Sequence, residues 1–193
     1  MANEDASLGL DVSGALRRLA ERLDPDLVLP AGRPSAVLVL LYPDNAGLRV
    51  LLTQRAEDLD HHKGQISFPG GSCDPEDEDY WATALREAEE EVGLSAQPRR
   101  LGHLPALFIP VSGYAVAPCV GYVERPPQVY PRTREVAGLL QPPLAELWAV
   151  EEWEDVKTPS GAIWRMPVYP WQDYRIWGAT ARMLHTLRRA LRP

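Results

Sequence analysis

The sequence has little cysteine, no excess of basic charge and no long apolar run. Only two of its 193 residues are cysteines, Cys73 and Cys119. Neither stands in a Cys-x-x-Cys or Cys/His spacing, which argues against a structural zinc site and against a disulfide framework. Twenty Lys and Arg face 27 Asp and Glu, a formal net charge of −7. A broadly acidic surface repels phosphate backbones, so nucleic-acid binding is disfavoured. An anionic small molecule remains compatible, because a metal or a local basic cluster reverses the sign at one site. The most apolar stretch, Ala36 to Leu41, is far too short to cross a bilayer. The start, Met1 to Val12, is acidic and lacks the basic region and apolar run of a signal peptide. No internal repeat and no low-complexity linker interrupts the chain. The expectation is a cytoplasmic protein that handles a small molecule, with neither nucleic acid nor membrane as partner.

What is present fits that frame. An apolar fraction of 45% and a charged fraction of 24% are those of a soluble globular chain. The length fits one domain with short terminal additions. Val12, Leu16, Leu19 and Leu23 at helical spacing predict an amphipathic helix, stopped by Asp24-Pro25-Asp26. Residues 1–33 are expected as a helical extension and 34–193 as the main domain. A buried strand is predicted over Ser35–Tyr42, a turn over 43–47, and a returning strand over Leu48–Gln54. A loop follows over Gly64–Gly71, with a short strand at Ile66–Phe68. Residues 79–92 carry the clearest helical pattern. Strands are predicted around Arg100–Phe108 and Ala115–Val123, a short helix over Leu144–Trp148, irregular strands within 151–170, and a last helix over Ile176–Leu191. Strands outnumber interspersed helices, which gives an α+β or mixed α/β class.

The helix over 79–92 carries the chemistry. Trp81, Leu85, Ala88 and Val92 form one apolar stripe at about 100° per residue. Glu87, Glu90 and Glu91 stand at i, i+3 and i+4, neighbours on another face, and Gly93 supplies the stop. Like charges so placed each cost the helix a few tenths of a kcal/mol, a repulsion that a divalent cation turns into attraction. Mg²⁺ takes oxygen ligands and keeps positions for water or substrate oxygens. Taken alone, an acidic run reads first as a solvated helix face. Its surroundings change that reading, since Phe68-Pro69-Gly70-Gly71 precedes it and two glycines let a backbone approach a ligand closely.

The segment Arg86-Glu87-Ala88-Glu89-Glu90-Glu91-Val92-Gly93-Leu94 resembles the second half of the Nudix box, Gly-x5-Glu-x7-Arg-Glu-U-x-Glu-Glu-x-Gly-U, with the small Ala88 at the first bulky apolar position. Counted back from there, the early Glu falls on Glu78 and the first Gly on Ser72, one residue beyond the glycine pair. Leu51-Leu52-Thr53-Gln54-Arg55-Ala56, then Gly64, then Phe68-Pro69-Gly70-Gly71, is similar at every interval to the extra motif of the coenzyme A pyrophosphatase subgroup, which shares that offset. The motif's second Arg is Asp60 here. Ile176 to Arg182 also resembles this subgroup, and the likeness spans roughly residues 34–185.

The resemblance implies a mixed β-sheet sandwiched between helices. It also implies hydrolysis of coenzyme A or its derivatives to 4′-phosphopantetheine and adenosine 3′,5′-bisphosphate with Mg²⁺ or Mn²⁺. Glu87, Glu90 and Glu91 become candidate metal ligands, joined by the carbonyl of Gly70. Glu90 and Glu135 become candidates for base chemistry, although Glu135 by itself reads more readily as a plain surface carboxylate. Arg55, Lys63, His61 and Gly71 are candidate substrate contacts, with His61 and His62 equally readable as exposed loop residues. Arg86 is expected to be structural, paired with Glu90 or Glu78, or else a surface ion pair. Ser112-Gly113-Tyr114 reads as a pocket wall or as a turn, and the six tryptophans read as packing residues. The alternatives are a Nudix hydrolase for ADP-ribose, dinucleoside polyphosphates or dNTPs, and a non-catalytic Nudix binding domain, which the retained box carboxylates disfavour.

Overall fold

The computed structural model describes residues 12–45, 47–56, 64–157 and 161–192. Its centre is strand β1 (Arg33–Asp44), whose Val/Leu-rich run is buried on both faces. Such a run marks a central strand covered on either side. Alternate side chains divide it. Ala36, Leu38, Leu40 and Tyr42 pack on one side, and Val39 and Leu41 join the core on the other. β1 pairs antiparallel with β2 (Gly47–Val50) and with β5 (Gly70–Ser72), and parallel with β8 (Tyr114–Tyr122) from Arg33↔Tyr114 to Leu41↔Tyr122. β6 (Arg99–His103) and β7 (Leu107–Ile109) complete this mixed sheet along β8. A second sheet has the order β4 (Ile66–Ser67), β3 (Leu52–Arg55), β9 (Val136–Leu140), and a third the order β10 (Glu152–Lys157), β11 (Ile163–Trp171), β12 (Tyr174–Ile176).

Helix α2 (Tyr80–Val92) lies on the Leu38/Leu40 side through Ala84, Ala88 and Val92. The opposite core holds α1 (Val12–Arg22), α3 (Leu144–Ala149) and α4 (Gly178–Leu191). Thus the sheet is flanked by helices, as expected for the mixed α/β class. Ala15 and Leu19 of α1 are buried in the same core as Leu184 and Leu187 of α4. The Arg18 Nε donates to the carbonyl of Leu191 (2.8 Å), placing a cation at the negative end of α4. Glu151 joins α3, β11 and α4: it accepts from Tyr169 (2.9 Å) and Arg188 (3.0 Å) and lies 3.1 Å from His185 Nδ1.

Several strands differ from the sequence expectation. The single returning strand is two, because the chain leaves the first sheet at Leu51 and enters the second at Leu52. Alternation of side chains is blind to that change, since Val50, Leu51 and Leu52 are all fully buried. The strand over 100–108 is likewise two, β6 and β7, separated by Leu104–Ala106 with Pro105. Gly70–Ser72, read as loop, is a strand held by β1. β9 and β12 carried no sequence signal that singled them out. The tryptophans divide: Trp148 is buried, whereas Trp153, Trp164 and Trp177 are exposed. No helix among the described residues is long and apolar enough to cross a membrane.

Candidate active site

Local chemistry fixes α2. Asp79 caps its start, its Oδ1 accepting from the Ala82 amide (2.8 Å). Gly93 ends it at φ 67°, its amide donating to Glu89 (3.0 Å), so the predicted stop is where the sequence put it. One turn apart on the face toward β5 stand Glu87 and Glu91.

The glycine strand is fitted to those carboxylates. The Gly70 amide donates to Glu91 Oε2 (3.3 Å). A β-carbon on Gly71 would lie 2.5 Å from the Glu87 carboxylate. One on Gly70, at φ 155°, would lie 2.3 Å from the carbonyl oxygen of Ala36. Each glycine therefore answers a different demand, Gly71 the approach of a side chain and Gly70 the approach of β1.

Electrostatics mark Glu91. Burial pushes it up to about 7; the Gly70 amide and Arg55 work against that, while the charges of Glu87 and Glu135 add to it. Glu87 is raised as well, chiefly by burial, with Arg86 opposing. Arg55 on β3 and Glu135 just before β9 lie 3.5 Å apart. The Ala56 amide donates to the carbonyl of Glu135 (2.8 Å), which fixes that junction. Glu90 is more exposed and pairs with Arg86 (3.5 Å).

Arg86 is the hub of the helix's first half. Its Nε and Nη2 donate to the two oxygens of Asp77 (3.1 and 3.0 Å). Nη2 also reaches the Ser72 carbonyl (3.1 Å), and Nη1 reaches Glu87 (2.9 Å). Its acidic partners besides Glu90 are thus Asp77 and Glu87, and the expected Glu78 is exposed. Arg86 holds the Asp77 carboxyl far below the usual carboxylate range. A signal for Asp77 was in the sequence: Gly-x5 counted from Gly71 lands on it, so the extra residue lies after the acid.

Ser112 and Gly113 form a turn, both amides donating to Ile109. Tyr114, next to it, meets Arg33 Nη2 (2.9 Å) and Ser72 Oγ (3.2 Å) at the end of the glycine strand. Arg33 carried no sequence signal, because that meeting depends on the parallel pairing of β1 and β8. Asp60, His61, His62 and Lys63 lie outside the described residues. A cleft of about 600 Å³ between residues 95–99 and 122–128 is lined by none of Glu87, Glu90, Glu91, Arg55 and Glu135.

Among the described residues, no three acidic, histidine or cysteine side chains close into a ready-made metal cage. The donor set does fit a hard cation held incompletely by protein. Two carboxylates face β5, both raised chiefly by burial, with neighbouring carboxylates adding to it. Mg²⁺ is commonly held by one or two carboxylates, with water and phosphate oxygens filling the rest.

A NUDIX domain model matches residues 32–172. The chain belongs to the Nudix family. It is 38% identical over 142 residues to the uncharacterized Nudix hydrolase NudL of Yersinia pestis (strain Pestoides F), covering 72% of this chain and 70% of that protein. The NudL of Yersinia pseudotuberculosis serotype O:1b matches equally. Among solved structures it is similar to the NUDIX domain of Shewanella oneidensis NrtR complexed with ADP ribose. That match has a TM-score of 0.60 and 17% identity, over 84% of this chain and 90% of the other. The C. elegans Ap4A hydrolase matches with a TM-score of 0.53 and 22% identity, over 80% and 92%. At those identities the solved structures show the Nudix fold alone. In this Nudix chain the carboxylate face of α2 is set against β5 with Arg55 and Glu135 at its edge.

Proposed function

We propose that this Nudix hydrolase cuts the diphosphate of coenzyme A or a derivative, with Mg²⁺ or Mn²⁺, giving 4′-phosphopantetheine and adenosine 3′,5′-bisphosphate. The observation that carries the reading is the relation of two motifs. The Leu51–Ala56 and Phe68–Gly71 segments that resemble the coenzyme A pyrophosphatase motif run along β3 to β5 and meet the box carboxylates, through Gly70 on Glu91 (3.3 Å) and Gly71 against Glu87.

The divisions of labour follow from charge and position. Glu87 and Glu91 would hold the cation, with Glu90 and the Gly70 carbonyl as further candidate ligands. Bound there, a divalent cation neutralises the diphosphate and acidifies water. Arg55, one third exposed at the edge of the site, is suited to bidentate contact with a phosphate. Glu135, across from it, is the candidate to take a proton, as is Glu90. Arg86 keeps Glu87 in one orientation while Asp77 and Ser72 hold the guanidinium, so the carboxylate face needs little reorganisation when substrate arrives. His61, Lys63 and Gly71 complete the proposed substrate contacts.

One observation favours a second reading, a Nudix hydrolase for another nucleoside diphosphate derivative: Asp60 stands where the subgroup motif carries its second Arg. A panel of coenzyme A, an acyl-coenzyme A, ADP-ribose, diadenosine polyphosphates and dNTPs, each with Mg²⁺, separates the two. Turnover of another member without turnover of either coenzyme A compound sinks the first reading.

A further inference from the structure

Three polar side chains meet on the sheet face away from α2, one residue beyond the glycine pair. Side chains alternate along a strand, so the Gly71 position faces Glu87 of α2 and the Ser72 hydroxyl takes the opposite face. There the Tyr114 hydroxyl lies 3.2 Å from Ser72 Oγ and accepts from Arg33 Nη2 (2.9 Å). The Arg33 guanidinium also covers the Tyr114 ring, 4.4 Å from its centroid, where the aromatic face attracts a cation. The Arg33 backbone is fixed as well, its amide donating to the Gly113 carbonyl (2.9 Å) beside the β1–β8 pair Arg33↔Tyr114. Arg33 and Ser72 are exposed and Tyr114 is half-buried, so the group can be reached from solvent.

Charge sets this group apart. Among the described residues no carboxylate pairs with Arg33, although the chain carries 27 Asp and Glu against 20 Lys and Arg. Arg55, Arg86 and Arg100 each have a carboxylate partner. An arginine held by a ring and a phenol keeps its charge uncompensated and its fork in one place, which suits a phosphate. The Tyr114 and Ser72 hydroxyls hold two protons, and the bond between them uses one, so a donor is left over. The group is also close to the carboxylates. Gly70, whose amide donates to Glu91 (3.3 Å), precedes Ser72 by two residues, about 7 Å along the strand. The Ser72 carbonyl accepts from Arg86 (3.1 Å), which in turn reaches Glu87 (2.9 Å).

We propose that Arg33, Tyr114 and Ser72 bind a phosphate of the substrate that is separate from the diphosphate being cut. The inference rests on the diphosphate-hydrolase reading above. It narrows the substrate class to a nucleoside diphosphate derivative with a further phosphate on its ribose. Coenzyme A carries one at the 3′ position, whereas ADP-ribose and diadenosine polyphosphates carry none.

The test compares coenzyme A with 3′-dephospho-coenzyme A, each with Mg²⁺, on the wild-type chain, Arg33→Gln and Tyr114→Phe. In wild type the KM for coenzyme A is expected to be lower by about tenfold, the worth of one charge-assisted contact. The ratio of the two KM values should fall to near one in Arg33→Gln. It should narrow in Tyr114→Phe, which keeps the ring and loses the hydroxyl. Melting temperatures of both variants check that the fold persists. Should Arg33→Gln fail to fold, Arg33→Met, which keeps an unbranched side chain without the charge, serves in its place. Equal KM values in wild type, or a ratio that survives removal of the Arg33 charge, overturns this inference alone. A wild-type chain that cuts neither coenzyme A compound sinks the substrate reading above and this inference with it.

Discussion

Gly71 lies so close to Glu87 that a β-carbon on it would sit 2.5 Å from the carboxylate carbon, and the neighbouring Gly70 would meet the backbone of β1 instead. The two glycines should therefore fail differently. The Gly71→Ala methyl meets the mobile end of a side chain, which can move aside. It should leave the melting temperature within a few degrees of wild type while lowering kcat by about tenfold or more, because Glu87 is displaced. Gly70→Ala should destabilise by about 3 kcal/mol in urea, since a backbone carbonyl cannot move aside. A Gly71→Ala enzyme of unchanged activity would remove Glu87 from the site.

Asp77, not Glu78, anchors Arg86. Asp77→Asn should cost about 1–2 kcal/mol in chemical denaturation, the order expected of hydrogen bonds to a charged partner. Glu78→Gln should stay within about 0.5 kcal/mol of wild type. The reverse ranking would return the anchoring role to Glu78.

Glu151 makes a prediction about acid. Burial works to raise it, but the bonds from Arg188 and Tyr169 and the nearby His185 outweigh that and hold it below its ordinary value. A depressed carboxylate stabilises the fold fully above its unfolded pKa of about 4.3 and loses that contribution as pH falls through the lower folded value. The melting temperature of Glu151→Gln should thus lie below wild type at pH 7. The gap should hold down to about pH 5 and narrow below pH 4. A gap independent of pH over that range would show that the Glu151 charge is not what stabilises this corner.

Much of this was legible in the sequence where the cause is local. α2, its Gly93 stop and its carboxylate face follow from spacing within one helix. The exchange of Glu78 for Asp77 shows the limit of counting: the motif was placed from the helix, while the loop that brings an acid to Arg86 is set by Gly71. β5 was hidden because a strand of two glycines and a serine has no side-chain pattern to read, only a neighbour to pair with. The split at Leu51 was hidden because both sheets bury the residues on either side of it. Arg55 and Glu135 were named from resemblance; their meeting depends on β3 and β9, 80 residues apart along the chain. Tyr114 beside Ser72 depends in the same way on long-range pairing.

Glu91→Gln should lower kcat by about a hundredfold or more with the fold intact, because a carboxylate proposed to hold the cation is lost. Thermal stabilisation by Mg²⁺, expected for wild type, should shrink in the same variant. Unchanged kcat and an unchanged Mg²⁺ shift would rule out Glu91 as a ligand.

The most direct measurement is the product analysis of coenzyme A incubated with the wild-type chain and Mg²⁺. The expected result is equal amounts of 4′-phosphopantetheine and adenosine 3′,5′-bisphosphate, with no turnover when the metal is chelated. Intact coenzyme A alongside hydrolysed ADP-ribose or diadenosine polyphosphate would contradict the proposed substrate.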